Sequence, residues 1–241
     1  MTYSDPLGLR IAAGRHAGWE SDIKFGHNPS VGTDWETIWC QGGSPIINKT
    51  ATIVEFSSDN ASDTADGAGA RTATFAGVDA NFVQQSETIT LTGTTAASSV
   101  GSFLYVYRIK VLTAGSVLAN AGHISSIIGG STIGHIHAGS GQTEMLYRPV
   151  PANSVMYMSG VGVAVEKGSD VSLRIREFDQ DGNVWRTKLA FHAYQATTPL
   201  RFKPPYVFFQ KHLITVEALT TNAAGYAVGG WFDYVISEGD A

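Results

Sequence analysis

The sequence predicts an all-β protein, a β-sandwich or jelly roll with an extended N-terminal arm. Many short runs of strand-forming residues are bounded by glycine, proline and other turn residues. No stretch keeps apolar residues at the three- and four-residue spacing of an amphipathic helix over two turns. The chain has 241 residues and is 43% hydrophobic, so it can bury a substantial core without metals or disulfides.

Strands are predicted in chain order from residue 46 onward. Each predicted strand is short, and those that alternate apolar and polar residues are expected to be half-buried. A Gly-rich bend is expected near Ser159-Gly160. The predicted strands are 51–56, 72–78, 88–92, 103–112, 155–165, 171–176, 185–194, a strand around Phe208, 214–219 and 231–236.

The first 45 residues are predicted to form the arm, because glycines interrupt every element that could form there. This segment holds Trp19, Trp35 and Trp39, three of the five tryptophans, and indole rings are costly to expose. We expect Trp19, Trp35 and Trp39 to be mostly buried and to bind a partner, with at least one of them in contact with another chain. The predicted domains are therefore an arm at 1–45 and a body at 46–241. The body is either undivided or split into sub-lobes 46–115 and 116–241.

A hairpin is predicted around the turn at residues 179–183. If the turn centres on Asp181, Arg176 lies opposite Arg186 and Arg174 lies opposite Lys188. Like charges that face each other across a sheet are destabilising. We therefore predict that these four basic residues face an acidic surface on a partner subunit; the alternative is a solvated face.

The composition of the chain restricts the classes of partner and the cellular location that we expect. Charged residues make up 15% of the chain, below the roughly 25% usual for soluble domains, which suits a surface packed against other subunits. The net charge is −5 and no segment has a basic excess, so no nucleic acid is expected. No apolar run is long enough to span a membrane, and the N-terminus does not resemble a signal peptide. Cys40, the single cysteine, is expected to be an inert packed thiol.

No catalytic motif is recognisable. The chain lacks a Gly-x-Ser-x-Gly nucleophile elbow, a P-loop, a dinucleotide fingerprint and a Cys-x-x-Cys pair. We therefore predict that the protein is not an enzyme and has no catalytic residues. A glycosidase carboxylate pair need not be adjacent in sequence, so that alternative stays open. Glu177, which precedes Phe178, and Asp233, which follows Phe232, are the nearest candidates for such a pair.

Two clusters of metal-ligand residue types are incomplete. The acidic loop with Asp59, Asp63 and Asp66 lacks the spacing of a calcium-binding loop, so a solvated turn is expected. His135 and His137 would share one face of a strand, but three protein ligands are the minimum for a zinc site. His123 is near in sequence, without a defined spacing. We therefore predict no metal and no cofactor, and no effect of chelators on the melting temperature.

Several stretches between residues 20 and 195 resemble a known family. They read IKFGHNP at 23–29, WETIW at 35–39, SDTADGAGART at 62–72, AGVDAN at 76–81, ETITLTGTT at 87–95, YRIKV at 107–111 and NAGHI at 120–124. They resemble virion structural proteins of marine and cyanobacterial tailed bacteriophages. These motifs are strand and turn signatures, so they indicate a lineage and identify no site.

The resemblance implies a virion component made in the cytoplasm of a bacterial host. The first hypothesis is a capsid decoration or cement protein, a homotrimer that binds the major capsid protein or other virion subunits. The alternative is a receptor- or glycan-binding module of a tail fibre or head fibre.

Overall fold

The computed structural model describes residues 7–166, 170–194, 197–221 and 225–239. These residues form one short helix and sixteen strands, and the all-β prediction is confirmed. The bounds are α1 (Leu7–Ala12), β1 (Trp19–Val31), β2 (Glu36–Thr37), β3 (Thr52–Ser58), β4 (Ala70–Val78), β5 (Gln84–Thr90), β6 (Ala97–Phe103), β7 (Tyr105–Ala114), β8 (Ile124–Ile128), β9 (Ser131–Ile136), β10 (Tyr147–Pro149), β11 (Ser154–Val165), β12 (Asp170–Asp179), β13 (Val184–Tyr194), β14 (Thr197–Phe208), β15 (His212–Thr220) and β16 (Tyr226–Glu238).

The chain divides into two compact units. Unit 1 comprises Met1–Phe25, Pro29–Ile38 and Leu146–Ala241, and unit 2 comprises Gly26–Asn28 and Trp39–Met145. This division does not coincide with the predicted boundaries after residues 45 and 115. Strand β1 pairs with β16 and β2 pairs with β15, so both strands within the predicted arm belong to the sheets of unit 1.

Unit 1 consists of two sheets around one hydrophobic core. One sheet has the strand order β1-β16-β11-β14, and the other has the order β10-β15-β12-β13 with β2 beside β15. Both sheets contribute buried side chains to the core, among them Met158 and Phe232 from the first and Leu173 and Val216 from the second. A core enclosed by two antiparallel sheets is a sandwich arrangement.

Unit 2 repeats this plan on a smaller scale. Its sheets have the orders β6-β3-β8-β9 and β5-β4-β7. Phe56, Phe75 and Phe103 lie at the centre of its core, with ring centroids 4.5 Å apart for the first pair and 5.0 Å apart for the second. Aromatic rings at such distances add to the stabilisation from burial alone.

Strand β11 bends where the sequence predicts it. Its register against both neighbouring strands shifts between Met158 and Gly160, which identifies a β-bulge. Two residues further on, Gly162 lies opposite Trp231 of β16. A Cβ atom at residue 162 would overlap the indole ring, so only glycine fits there.

The strands that the sequence analysis missed are rich in proline or small residues. Pro204 and Pro205, a residue type that usually indicates loops, lie within β14, an edge strand of its sheet. Proline is tolerated at a sheet edge, where no neighbour needs its missing N–H. Strand β1 is also an edge strand, and it contains Pro29. Among the described residues, no helix is long and apolar enough to cross a membrane.

Candidate functional site

The predicted basic hairpin forms, but with a different register. Strands β12 and β13 flank the turn, where the Asp179 side chain accepts a hydrogen bond from the Gly182 N–H at 2.8 Å. A register shift between Ile175 and Arg176 places Arg176 opposite Thr187. Glu177 lies opposite Arg186, and Arg174 lies opposite Ala190. The predicted pairing of like charges, Arg176 with Arg186 and Arg174 with Lys188, is therefore wrong.

Acidic side chains of the same chain compensate the basic residues. Glu217 of β15 lies directly opposite Arg174 of β12, and its carboxylate accepts hydrogen bonds from Arg174 at 2.6 Å and from Arg176 at 3.4 Å. Only 2% of the Glu217 side chain is exposed. Hydrogen bonds to an ionised group in such a position are among the stronger ones in proteins.

The other two basic residues pair with two further acids, the buried Glu177 and the partly exposed Asp179. Glu177 contacts Lys188 at 2.9 Å and His212 at 3.1 Å, while Arg186 contacts Asp179 at 3.0 Å. We call Arg174, Arg176, Glu177, Asp179, Arg186, Lys188 and Glu217 the charged cluster. Because these acids compensate the four basic residues within the same chain, no acidic partner surface is needed to balance their charge.

Two tryptophans cover two of the three arginines of the charged cluster. The Arg174 guanidinium lies 4.1 Å from the ring centre of Trp35, and that of Arg176 lies 4.2 Å from the ring centre of Trp185. Guanidinium groups this close to an indole face gain cation–π stabilisation. The structure thus brings Trp35 together with four of the residues predicted to bind a partner.

The pKa values of Glu177 and Asp179 indicate how the stabilising effect of the charged cluster depends on pH. Burial opposes ionisation of Glu177, but hydrogen bonds from His212 and Lys188 prevail and lower its pKa from the ordinary value of 4.5. The hydrogen bond from the Gly182 N–H has the largest effect on Asp179 and lowers its pKa; burial opposes this, and a hydrogen bond from Arg186 adds to the lowering. Both acids therefore favour the folded state in their ionised forms.

We expect the charged cluster to stabilise unit 1 at neutral pH and to lose that effect in acid. A carboxyl whose folded-state pKa is lowered contributes stability above its unfolded pKa, and this contribution disappears as pH falls through the folded value. The difference in unfolding free energy between wild type and Glu177→Gln should therefore be largest near pH 7 and shrink below pH 4.5. Urea denaturation across this range measures it, and a difference independent of pH would contradict the assignment.

The other two arm tryptophans also contact their own chain. Trp39 is buried, and its Nε1–H donates a hydrogen bond to the Gly42 carbonyl at 2.5 Å. Trp19 is half-buried and stacks on Tyr157, with ring centroids 6.3 Å apart. A contact of these rings with another chain stays a prediction.

An apolar recess of about 360 Å³ opens beside Trp19 in unit 1. Its lining is apolar apart from the hydroxyl of Ser159 and the polar edges of Trp19 and Tyr157. Leu7 at the rim is 52% exposed, and the neighbouring Leu9 is 62% exposed. The residues that line the recess are Leu7, Gly8, Ile11, Trp19, Tyr157, Ser159, Pro205 and Val235. A contiguous apolar surface of this kind is typical of a binding surface.

The acidic loop of unit 2 is organised around a buried carboxylate, so the expectation of a solvated turn is wrong for Asp63. That side chain is fully buried and accepts four hydrogen bonds of 2.6–2.9 Å. The donors are the Ser58 hydroxyl and the backbone N–H groups of Ala70, Ala121 and Gly122. This carboxylate joins three separate segments of unit 2.

Three histidines converge at a hairpin that the sequence analysis missed. Strands β8 and β9 are joined by Gly129-Gly130, both with positive φ, as two-residue hairpin turns require. The register pairs Ser125 with His135 and Ile124 with Ile136. One step beyond, the same register places His123 opposite His137. The Gly-Gly pair between two isoleucine-containing strands was the signal for this arrangement.

The three imidazoles form a compact group, so the count of two possible ligands was wrong. The potential ligand atoms of His123, His135 and His137 all lie within 4.8 Å of one another. His135 Nε2 lies 3.3 Å from His123 Nδ1, and Ser125 Oγ lies 3.1 Å from His135 Nδ1. Together with Asp59, these side chains line an open recess of about 310 Å³.

The environment keeps the central imidazole uncharged. Burial, followed by the neighbouring His123 and His137, lowers the pKa of His135 to about 4, against the opposing charge of Asp59.

Nearby, burial raises the pKa of the Cys40 thiol to about 12, so little reactive thiolate is present at neutral pH. This agrees with an inert cysteine.

Comparisons with known proteins give little further information. No protein-family model matches the chain, and no curated protein matches it. Among solved structures, a structure of infectious bursal disease virus strain Gx is 10% identical, with 92% of this chain and 72% of that chain covered and a TM-score of 0.28. T=1 particles derived from infectious bursal virus give 11% identity, 94% and 76% coverage and a TM-score of 0.22. The VP2 subviral particle of infectious bursal disease virus is 8% identical, with 97% of this chain and 83% of that chain covered and a TM-score of 0.20. These TM-scores are too low to carry an argument about this chain.

Proposed function

We propose that this chain is a non-catalytic structural subunit of a virus particle, located in the virion. Its finer role is a decoration or cement protein on the outer surface of a phage head, where it binds the major capsid protein as a homotrimer. The observation that carries the proposal is the apolar recess beside Trp19, which offers a surface for another protein subunit. The sequence resemblance over residues 20–195 suggests that this subunit belongs to a phage virion.

The recess is a better candidate for a partner surface than the charged cluster. Its acids and bases satisfy one another within unit 1, so it offers a partner little uncompensated charge. The recess, in contrast, leaves Leu7 and Trp19 partly exposed to water. Burying such side chains against a subunit gains roughly 25 cal/mol per Å² of apolar surface.

The alternative is a glycan- or receptor-binding module of a tail or head fibre. The stacked pair Trp19 and Tyr157 favours it, because aromatic faces pack well against sugar rings. Small-molecule sites also need several convergent polar groups, and the lining of the recess offers few of them. The apolar lining therefore favours a protein surface over a sugar.

Copy number and site-directed variants test the proposal. Quantitative mass spectrometry of purified particles should find hundreds of copies for a head decoration, and about a dozen copies would favour a fibre. Trp19→Ala should lose particle binding while the isolated protein stays folded. Tyr194→Ala, which removes an aromatic ring that is 65% exposed elsewhere in unit 1, is the matched control. Equal incorporation of both variants would contradict a role for the recess, and absence of the protein from particles would contradict the proposed function.

A further inference from the structure

We propose that His123, His135 and His137 form a binding site for one Zn²⁺ ion in unit 2, with a fourth coordination position open to solvent. The basis is the convergence of three imidazoles at the open end of the β8–β9 hairpin. Three protein ligands and one open position form a known class of zinc site. This proposal is independent of the role of the chain in a virus particle.

The spacing of the ring nitrogens suits tetrahedral zinc. Zn–N bonds of about 2.0–2.1 Å in a tetrahedron separate adjacent ligand atoms by about 3.3–3.4 Å. His135 Nε2 and His123 Nδ1 are 3.3 Å apart, so these two already stand at the distance of a coordinated pair. All three ligand atoms lie within 4.8 Å of one another. Rotation of the half-exposed His137 side chain would bring its ligand nitrogen to the coordination distance from the other two.

The surroundings provide an outer shell for the ion. Ser125 Oγ lies 3.1 Å from His135 Nδ1 and can accept a hydrogen bond from the Nδ1–H, which leaves the Nε2 lone pair directed at the metal. Asp59 accepts a hydrogen bond from the His123 backbone N–H at 2.7 Å and lines the same recess. Its carboxylate places negative charge near the cation.

The donor set distinguishes between classes of metal. Imidazole nitrogens suit zinc and its transition-metal neighbours, whereas Ca²⁺ and Mg²⁺ take oxygen ligands. The recess, lined by the three histidines, gives the ion a path from solvent and leaves room for a bound water. We therefore expect zinc, and not calcium, to bind.

Calorimetric titration of the untagged, EDTA-treated full chain with ZnCl₂ tests the site. We expect one ion per chain, a melting temperature that rises in zinc, and no response to CaCl₂. From sequence, no effect of chelators was expected, because neither the acidic loop nor the pair His135 and His137 had a complete ligand set. Titration with CoCl₂ should give the strong visible absorption of a tetrahedral cobalt complex. A wild-type chain that binds no zinc would overturn the proposal.

Variants separate a metal site from a hydrogen-bonded histidine cluster. His137→Ala removes a half-exposed ligand and should weaken zinc binding by more than about 100-fold, while circular dichroism and the metal-free melting temperature stay close to wild type. Ser125→Ala should weaken binding by roughly 10- to 100-fold, the usual cost of an outer-shell change. His192→Ala removes an exposed histidine in unit 1 and is the matched control. Zinc affinity that is equal in His137→Ala and His192→Ala would contradict the site.

Discussion

Replacement of Asp63 by alanine is expected to destabilise unit 2 by about 3 to 5 kcal/mol. The substitution removes the shared acceptor of one hydroxyl and three backbone N–H groups, and buried donors without an acceptor each cost roughly 1–3 kcal/mol. Small domains are stable by only about 5–15 kcal/mol, so much of the stability margin of unit 2 would disappear.

Hydrogen exchange measured by mass spectrometry locates the effect. Amides of strands β3 to β9 should exchange faster in Asp63→Ala, while those of unit 1 strands stay protected. Asp66→Ala is the control, because Asp66 lies in the same loop but is exposed. We expect it to change stability by less than about 0.5 kcal/mol. Similar effects of the two substitutions would show that Asp63 does not organise the loop.

Replacement of Glu217 by glutamine is the second large change, with an expected loss of about 2 to 3 kcal/mol from unit 1. The amide keeps the shape of the side chain but removes the charge that Arg174 and Arg176 share. The two guanidinium groups, each with 20% of its side chain exposed, would then repel each other without a counter-ion. Urea denaturation at neutral pH measures the loss.

The control for Glu217→Gln is Asp181→Asn. Asp181 pairs with Lys211 at 3.1 Å, but 72% of its side chain is exposed. An exposed pair of this kind contributes little, so we expect a change within about 0.5 kcal/mol. Equal losses for the two variants would contradict the view that burial gives the Glu217 contacts their weight.

The same geometry alters what charge reversal should do. A basic surface that faced only solvent or a partner subunit would tolerate charge reversal at Arg176 and Arg186 without loss of the isolated fold. In the structure, Arg176→Glu would place a carboxylate beside the buried Glu217, so this single change should destabilise unit 1. The Arg186 side chain is 48% exposed, so its reversal should have the smaller effect.

The sequence by itself determined the all-β class, the hairpin at residues 179–183 and the bend near Ser159. These features depend on local chemistry, because turn residues and two-residue alternation act within a few positions. Edge strands were harder to predict, since β14 contains prolines that usually indicate loops. Whether a proline is tolerated depends on the absence of a neighbour on one side, and only the assembled sheet decides that.

The candidate sites depended on tertiary structure. Asp63 looked like any loop carboxylate, and its role arises from backbone N–H groups at residues 70, 121 and 122. Arg174 looked uncompensated until β15 placed Glu217 beside it. His123 joined His135 and His137 only through the register of one hairpin. For Asp63 and Arg174 the partner is distant in sequence, and strand pairing, which brings such residues within hydrogen-bonding distance, leaves no periodic signal around either one.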